Sequence, residues 1–340
     1  MLANLKTNVF LTGATGYLGG ATLQLLLKDT SLSISALVRD KDKASKLARL
    51  GVNAIVGSLE DTALLKAEAA KAEAVVQIAS FGDIDAARAL LRGAKNRFER
   101  TGERPVFIHT SGAGAFVKLD VMGEYSSDRV VSDADADLFD LKNTMPHNTV
   151  NDIVLAADKE GYVRTYILYP GNIYGLLKGP LVDAGIAHSY SLLSVITRAI
   201  DFCIQRRQGG MVGRGLNKWP AAHIDDAAEL YKLLLERALA DKAPHGDEGT
   251  FVIENGEYTY VDAANQYTKV LHAHGMSVTP EPQAFSATEL ETISYLFFLG
   301  TDVRLRGARA RRLGWVPVHN IEEFHEGVQK DAEAVLADKP

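Results

Sequence analysis

Apolar positions along the chain alternate between two periods. Val9-Phe10-Leu11 is a short apolar run that ends in a glycine-punctuated turn, Gly13-Ala14-Thr15-Gly16-Tyr17-Leu18-Gly19-Gly20. After the turn, Leu18, Thr22, Leu25 and Leu26 fall on one helical face. Residues 32–38 read as a second strand, 54–56 as a third, 74–80 as a buried fourth, 105–111 as a fifth and 162–168 as a sixth. Between them, residues 63–71 are helical by propensity. Residues 83–100 place Ile84, Ala87, Leu90, Leu91 and Ala94 at helical spacing, and 147–159 form a further helix. Residues 117–145 lack periodicity and are rich in Asp and Ser, which predicts a long loop of the functional or mobile kind. Beyond Gly175 the pattern changes to a connector, a helix over 192–207, a glycine-rich element over 209–220 and one more strand over 251–256.

Strands alternating with helices up to residue 175 predict an α/β fold of Rossmann type, a doubly wound parallel sheet with right-handed crossovers. Residues 1–175 make the dinucleotide-binding domain, and 216–256 return to it. Residues 176–215 and 257–340 then form a smaller C-terminal α/β region suited to capping a substrate.

Composition narrows the class. The 340 residues are 46% hydrophobic and 24% charged, with a net charge of −6. That is an ordinary globular composition, with no basic surplus for nucleic acid. Cys203 is the one cysteine, which excludes an internal disulfide and argues against a cysteine metal site; no metal is expected. No apolar stretch is long enough for a membrane span and no signal-peptide pattern opens the chain, so the reading is a cytoplasmic protein acting on a small molecule.

The glycine turn carries the first candidate chemistry. Gly13 permits the tight turn. Gly16 lets backbone approach a pyrophosphate, and Gly19 lets helix and strand pack closely. Thr15, Tyr17 and Leu18 lie beside them at a helix N-terminus, where free N–H groups favour an anion. The second strand ends at Arg39-Asp40. Arg39 offers a planar fork for a 2′-phosphate, with Lys41 and Lys43 near it, whereas Asp40 suits ribose hydroxyls. The balance favours NADP(H), with NAD(H) as the alternative.

The GxxGxxG spacing resembles the extended branch of the short-chain dehydrogenase/reductases, which includes sugar-nucleotide epimerases, dehydratases and dihydroflavonol-type reductases. Val38-Arg39-Asp40 resembles a "VRD" that goes with NADPH there. Gly57-Ser58-Leu59-Glu60-Asp61 resembles "GDLxD", which implies that Ser58 and Leu59 border the adenine. Pro170-Gly171-Asn172-Ile173 with Tyr174-Gly175 resembles "RPxxxYG", whose backbone touches the nicotinamide, with Tyr169 in place of Arg. His223-Ile224-Asp225-Asp226 resembles "VHVDDxA", read here as helix-capping, and Leu313-Gly314-Trp315-Val316-Pro317 resembles "LGWxP". Ala79 and Thr110, at the ends of strands four and five, complete the cofactor side. The resemblance also implies a homodimer built on the 83–100 helix, although core packing explains that helix equally well.

The family's Ser, Tyr and Lys set does not fall in register. Strand five ends Thr110-Ser111-Gly112, so glycine stands in the serine's place, while Thr144 and Asn148 stand where YxxxK belongs. Ser111, one residue away, is a candidate to polarise a carbonyl. His147 is the candidate proton donor, because an imidazole titrates near neutrality. Tyr125, spaced YxxxR with Arg129, is a third candidate. The pattern predicts an NADP(H)-dependent oxidoreductase acting on a carbonyl or conjugated alkene through a non-standard proton relay. The alternatives are an epimerase, isomerase or lyase holding NAD tightly, or a non-catalytic, NmrA-like dinucleotide sensor.

Overall fold

The computed structural model describes residues 6–192 and 194–339. Its strands in chain order are β1 (Thr7–Thr12), β2 (Leu32–Val38), β3 (Asn53–Val56), β4 (Ala74–Gln77), β5 (Val106–Thr110), β6 (Val131–Ser132) and β7 (Arg164–Pro170). They continue with β8 (Asn172–Tyr174), β9 (Gly210–Met211), β10 (Lys218–His223), β11 (Thr250–Ile253), β12 (Glu257–Thr259), β13 (Gln283–Ala284) and β14 (Leu305–Arg306). Seven of these form one parallel sheet in the order β11-β7-β5-β4-β1-β2-β3. The order reverses between β1 and β4, which opens a crevice outside the carboxyl ends of the strands.

Helices cover both faces. One layer is α1 (Tyr17–Leu26), α2 (Lys41–Arg49) and a helix from later in the chain, Ile224–Leu239; the other is α3 (Thr62–Ala69), α4 (Ile84–Thr101) and α5 (Pro146–Lys159). Strand alternation sends Val9, Leu11, Val76 and Ile108 to the first layer and Phe10, Val75, Phe107 and Ile167 to the second. On α1, Thr22 and Leu26 are buried as expected and Leu18 and Leu25 pack half-buried against the core, while Ala21 and Leu23 widen the buried face. In α4, Ala86, Ala87, Leu90, Leu91 and Ala94 are buried within this chain, while Asp85, Arg88, Arg92 and Lys95 face outward.

The C-terminal region is α6 (Pro180–Asp183), α7 (Val195–Arg206), α8 (Ile224–Leu239), α9 (Tyr260–Ala273), α10 (Ala287–Thr292), α11 (Ala308–Leu313) and α12 (Ile321–Ala337), with α8 packed back on the main sheet. Short sheets β12-β10-β8, β13-β9 and β14-β6 join it. Ser194 caps α7, so that helix starts three residues later than its sequence periodicity suggests.

Residues 117–145 are irregular, as expected, but they are tied down. β6 pairs with β14, Lys118 bridges Asp302, and the buried Asp133 carboxylate accepts from Val252 N (3.0 Å) and Arg309 N (2.9 Å). These partners lie far along the chain.

Candidate functional site

The site begins where backbone approaches backbone. Gly13 has φ +83°, and a Cβ there would lie 2.9 Å from Ala79 N, in the β1/β4 crevice. A Cβ on Gly19 would overlap the Gly13 carbonyl, so the first turn of α1 is held against the glycine turn. Gly16 N donates to Gly13 O (2.9 Å), and no side chain caps α1 and no acid sits in its first turn. The helix N-terminus is therefore left to an anion. Tyr17 turns away from this cradle, and its hydroxyl donates to Gly175 O.

At the end of β2 the two opposed charges separate. Asp40 is the N-cap of α2, with Oδ1 accepting from Asp42 N (2.8 Å) and Lys43 N (3.0 Å). These bonds, the Lys43 one foremost, hold its carboxyl below the usual range. Arg39 is exposed beside it. Ser58 N donates to Asp61 Oδ2 (2.8 Å) and Ser58 Oγ accepts from Glu60 N (3.2 Å), so this hydroxyl is used in its own turn. Leu59 is half-buried next to it. Pro170, Gly171, Asn172 and Ile173 leave the sheet edge half-buried, and Gly171 passes so close to Pro220 that a Cβ would overlap its carbonyl.

Ser111 and His147 come together at the end of β5. Ser111 N donates to Leu168 O (2.8 Å), while its Oγ is buried without a partner among the described residues. Cβ atoms on Gly112 and Gly114 would meet the His147 ring at 3.4 and 3.1 Å, so the glycines make room for this imidazole. Phe81 stacks on the ring at 4.0 Å and 6°. The ring is 9% exposed, and Nδ1 has no partner among the described residues. Burial lowers its pKa to about 4. The expectation that it titrates near neutrality is thereby corrected: at pH 7 this imidazole is neutral. Phe81 was missed in the sequence, and its only local signal is an aromatic in the loop after β4.

The third candidate stands apart. Tyr125 is 47% exposed, and its neighbour Gly123 donates to Gly300 O and accepts from Leu216 N, so this segment travels with the C-terminal region. Thr110 turns to the opposite face of β5 and pairs with Tyr231 (2.6 Å). Asn148, in the place of the family's lysine, donates to Ala115 O and Asn143 O (both 2.9 Å), while Thr144 is exposed.

His223, Asp225 and His319 present ligand atoms within 4.8 Å of one another, the one such group among the described residues. The rings of His223 and His319 stack at 3.7 Å. His223 Nδ1 accepts from Asp225 N (3.2 Å), and His319 Nδ1 bonds Glu323 (2.8 Å). Asp226 accepts from Val318 N and His319 N (both 2.9 Å). These contacts are those of a helix cap tied to a loop.

A glycine cradle at the switch point with an uncapped helix N-terminus beside it is the arrangement of a dinucleotide-binding sheet. Residues 13–128 match the NAD(P)H-binding family model. Over 354 aligned residues the chain is 29% identical to an Acremonium protein named oxidase ucsJ, covering 96% of this chain and 97% of that one. Among solved structures, Thermotoga maritima UDP-glucose 4-epimerase superposes with TM-score 0.66 at 17% identity, over 97% of this chain and 99% of that one. The NAD complex of Bacillus cereus UDP-glucuronic acid 4-epimerase gives 0.66 at 15%, over 97% and 96%. The chain shares the fold of these two epimerases, and its residues 13–128 are similar to NAD(P)H-binding domains. No helix among the described residues is long and apolar enough to cross a membrane.

Proposed function

We propose that the protein is an NADP(H)-dependent oxidoreductase that reduces a carbonyl or conjugated alkene of a small organic molecule. The observation that carries this reading is Ser111: a buried hydroxyl, unpartnered among the described residues, at the carboxyl edge of the sheet beside the nucleotide crevice. A hydroxyl so placed polarises a substrate oxygen, and its desolvation strengthens that interaction. The relative named an oxidase supports redox chemistry.

The dinucleotide would lie with its pyrophosphate on Gly16, Tyr17 and Leu18 at the start of α1 and its 2′-phosphate toward Arg39. When bound and reduced it supplies a hydride. Arg39 is the phosphate reader because Asp40 is already used as a helix cap. His147, neutral and packed against Phe81 and the glycines, acts as an N–H donor that orients the substrate oxygen. A neutral imidazole suits that task where a cation would cost burial energy.

Ser111→Ala tests the reading. Turnover with a carbonyl found by screening should fall about tenfold or more, with NADPH affinity unchanged. Unchanged turnover removes Ser111 from the chemistry. Tightly held NAD⁺, released only on denaturation, would replace the reductase reading with the internal-redox epimerase one.

A further inference from the structure

Buried polar side chains normally find partners. Of the twelve buried side-chain polar atoms that lack one among the described residues, seven gather at a single place. Thr12, Gln77 and His109 are register partners across β1, β4 and β5, each at or next to the last residue of its strand. Alternation puts them all on the face that α4 and α5 cover. Ser111 follows His109 by two residues and stands opposite Tyr169, on the same face. Above them α5 brings down His147 and, one turn later, Asn151. His147 lies near enough to His109 to oppose its protonation.

One bond within the row sets its polarity. His109 Nδ1 and Gln77 Oε1 are 3.1 Å apart, which puts the imidazole proton on Nδ1 and leaves Nε2 as a bare acceptor. Gln77 Nε2 and Thr12 Oγ1 remain as further groups without a partner among the described residues. Donors and acceptors in this number, two to four per molecule, are what a buried water requires. No cationic side chain is among them.

We infer that the row Thr12–Gln77–His109 holds ordered water that resupplies the proton of Ser111, with His109 as the positioning residue that orients this water. The inference rests on the carbonyl reduction proposed above. The carbonyl carbon gains a hydride and its oxygen takes the Ser111 Oγ proton. Row water returns a proton to Ser111, and solvent restores the water. One hydride and one solvent proton are consumed for each C=O that becomes CH–OH. The lost Tyr–Lys pair is thereby replaced by a neutral relay that enters from beneath the site.

A crystal structure of the nucleotide-free protein and single-turnover kinetics test this together. The structure should show water within hydrogen-bond distance of His109 Nε2. His109→Phe, which fills the row with an apolar ring, should slow the chemical step about tenfold or more and change its solvent deuterium isotope effect. The NADPH dissociation constant should stay within about twofold, because His109 lies below the expected nucleotide contacts. His109→Gln, which keeps an acceptor, should recover much of the rate. Thr12→Val, nearly the same shape, should act in the same direction as His109→Phe and keeps the test decisive should the phenylalanine variant not fold. A dry row in an active enzyme overturns the relay and leaves the reduction standing. A wet row with unchanged rates and isotope effects in both variants also overturns it. A protein that reduces no carbonyl loses the reduction and the relay together.

Discussion

Arg39 and Asp40 are adjacent and opposite in charge, and their local bonding gives them different tasks. The Asp40 carboxylate is spent on two N–H groups of α2, while Arg39 is free to meet a phosphate. Arg39→Ala should therefore weaken NADPH binding by roughly tenfold to a hundredfold, the value of a charge-assisted bond, and leave NADH binding nearly unchanged. Titrating both nucleotides into both proteins measures it; an equal loss for the two would assign Arg39 no role in selectivity. His147 makes a different prediction. Unfolded, its imidazole gains a proton below pH 6.5; folded, only below about 4. Between these values the unfolded chain binds more protons, so stability rises with pH in that window and is lost as pH falls through it. The loss approaches about 3 kcal/mol by pH 4. In denaturant titrations at pH 7 and 4.5, His147→Asn should show a smaller difference between the two pH values than the parent protein. An equal difference would mean that the imidazole is hydrated and not buried.

Regular elements were legible in the sequence where a local period exposes them. The seven strands of the main sheet lie in or beside apolar runs, and the glycine turn shows because Gly13 and Gly19 occupy positions that no other residue fits. The irregularity of 117–145 was legible but its anchoring was not, because β6 is two residues long and pairs with β14 more than 170 positions away. Its anchor, Asp133, looks in sequence like any loop aspartate. Asp133→Ala leaves the Val252 and Arg309 N–H groups unpaired in a buried place and should cost about 2–5 kcal/mol. Equilibrium denaturation gives the number, and limited proteolysis should show new cleavage within 117–145. A loss below about 1 kcal/mol would mean that the segment is held elsewhere. The row Thr12–Gln77–His109 was half-legible. Each residue is a polar intrusion at the end of an apolar strand, and only the register reveals that the three are neighbours.

At the scale of the whole molecule, the nucleotide turn and the C-terminal region share contacts. Tyr17 bonds Gly175, Gln24 holds Lys178 O and Leu181 N, and a Cβ on Gly20 would overlap Ala187. β11, which follows α8, is one of the two edge strands of the main sheet. Glu254, next after β11, receives Gly307 N (3.0 Å) and Arg311 (2.8 Å) from the C-terminal segment. Shared strands and buried polar ties leave no seam along which one half could open alone, so the chain should unfold in a single transition. Ligand linkage makes this testable. NADPH at a hundred times its dissociation constant adds about 2.7 kcal/mol to the folded state. For a chain of this size that raises the midpoint by roughly 3–6 °C. Calorimetry should show one endotherm that moves as a whole with NADPH and much less with NADH. Two endotherms, with only the first moved by nucleotide, would show that the C-terminal region folds independently of the cradle. The substrate cap would then be a separate unit, and nucleotide binding would have no means of ordering it.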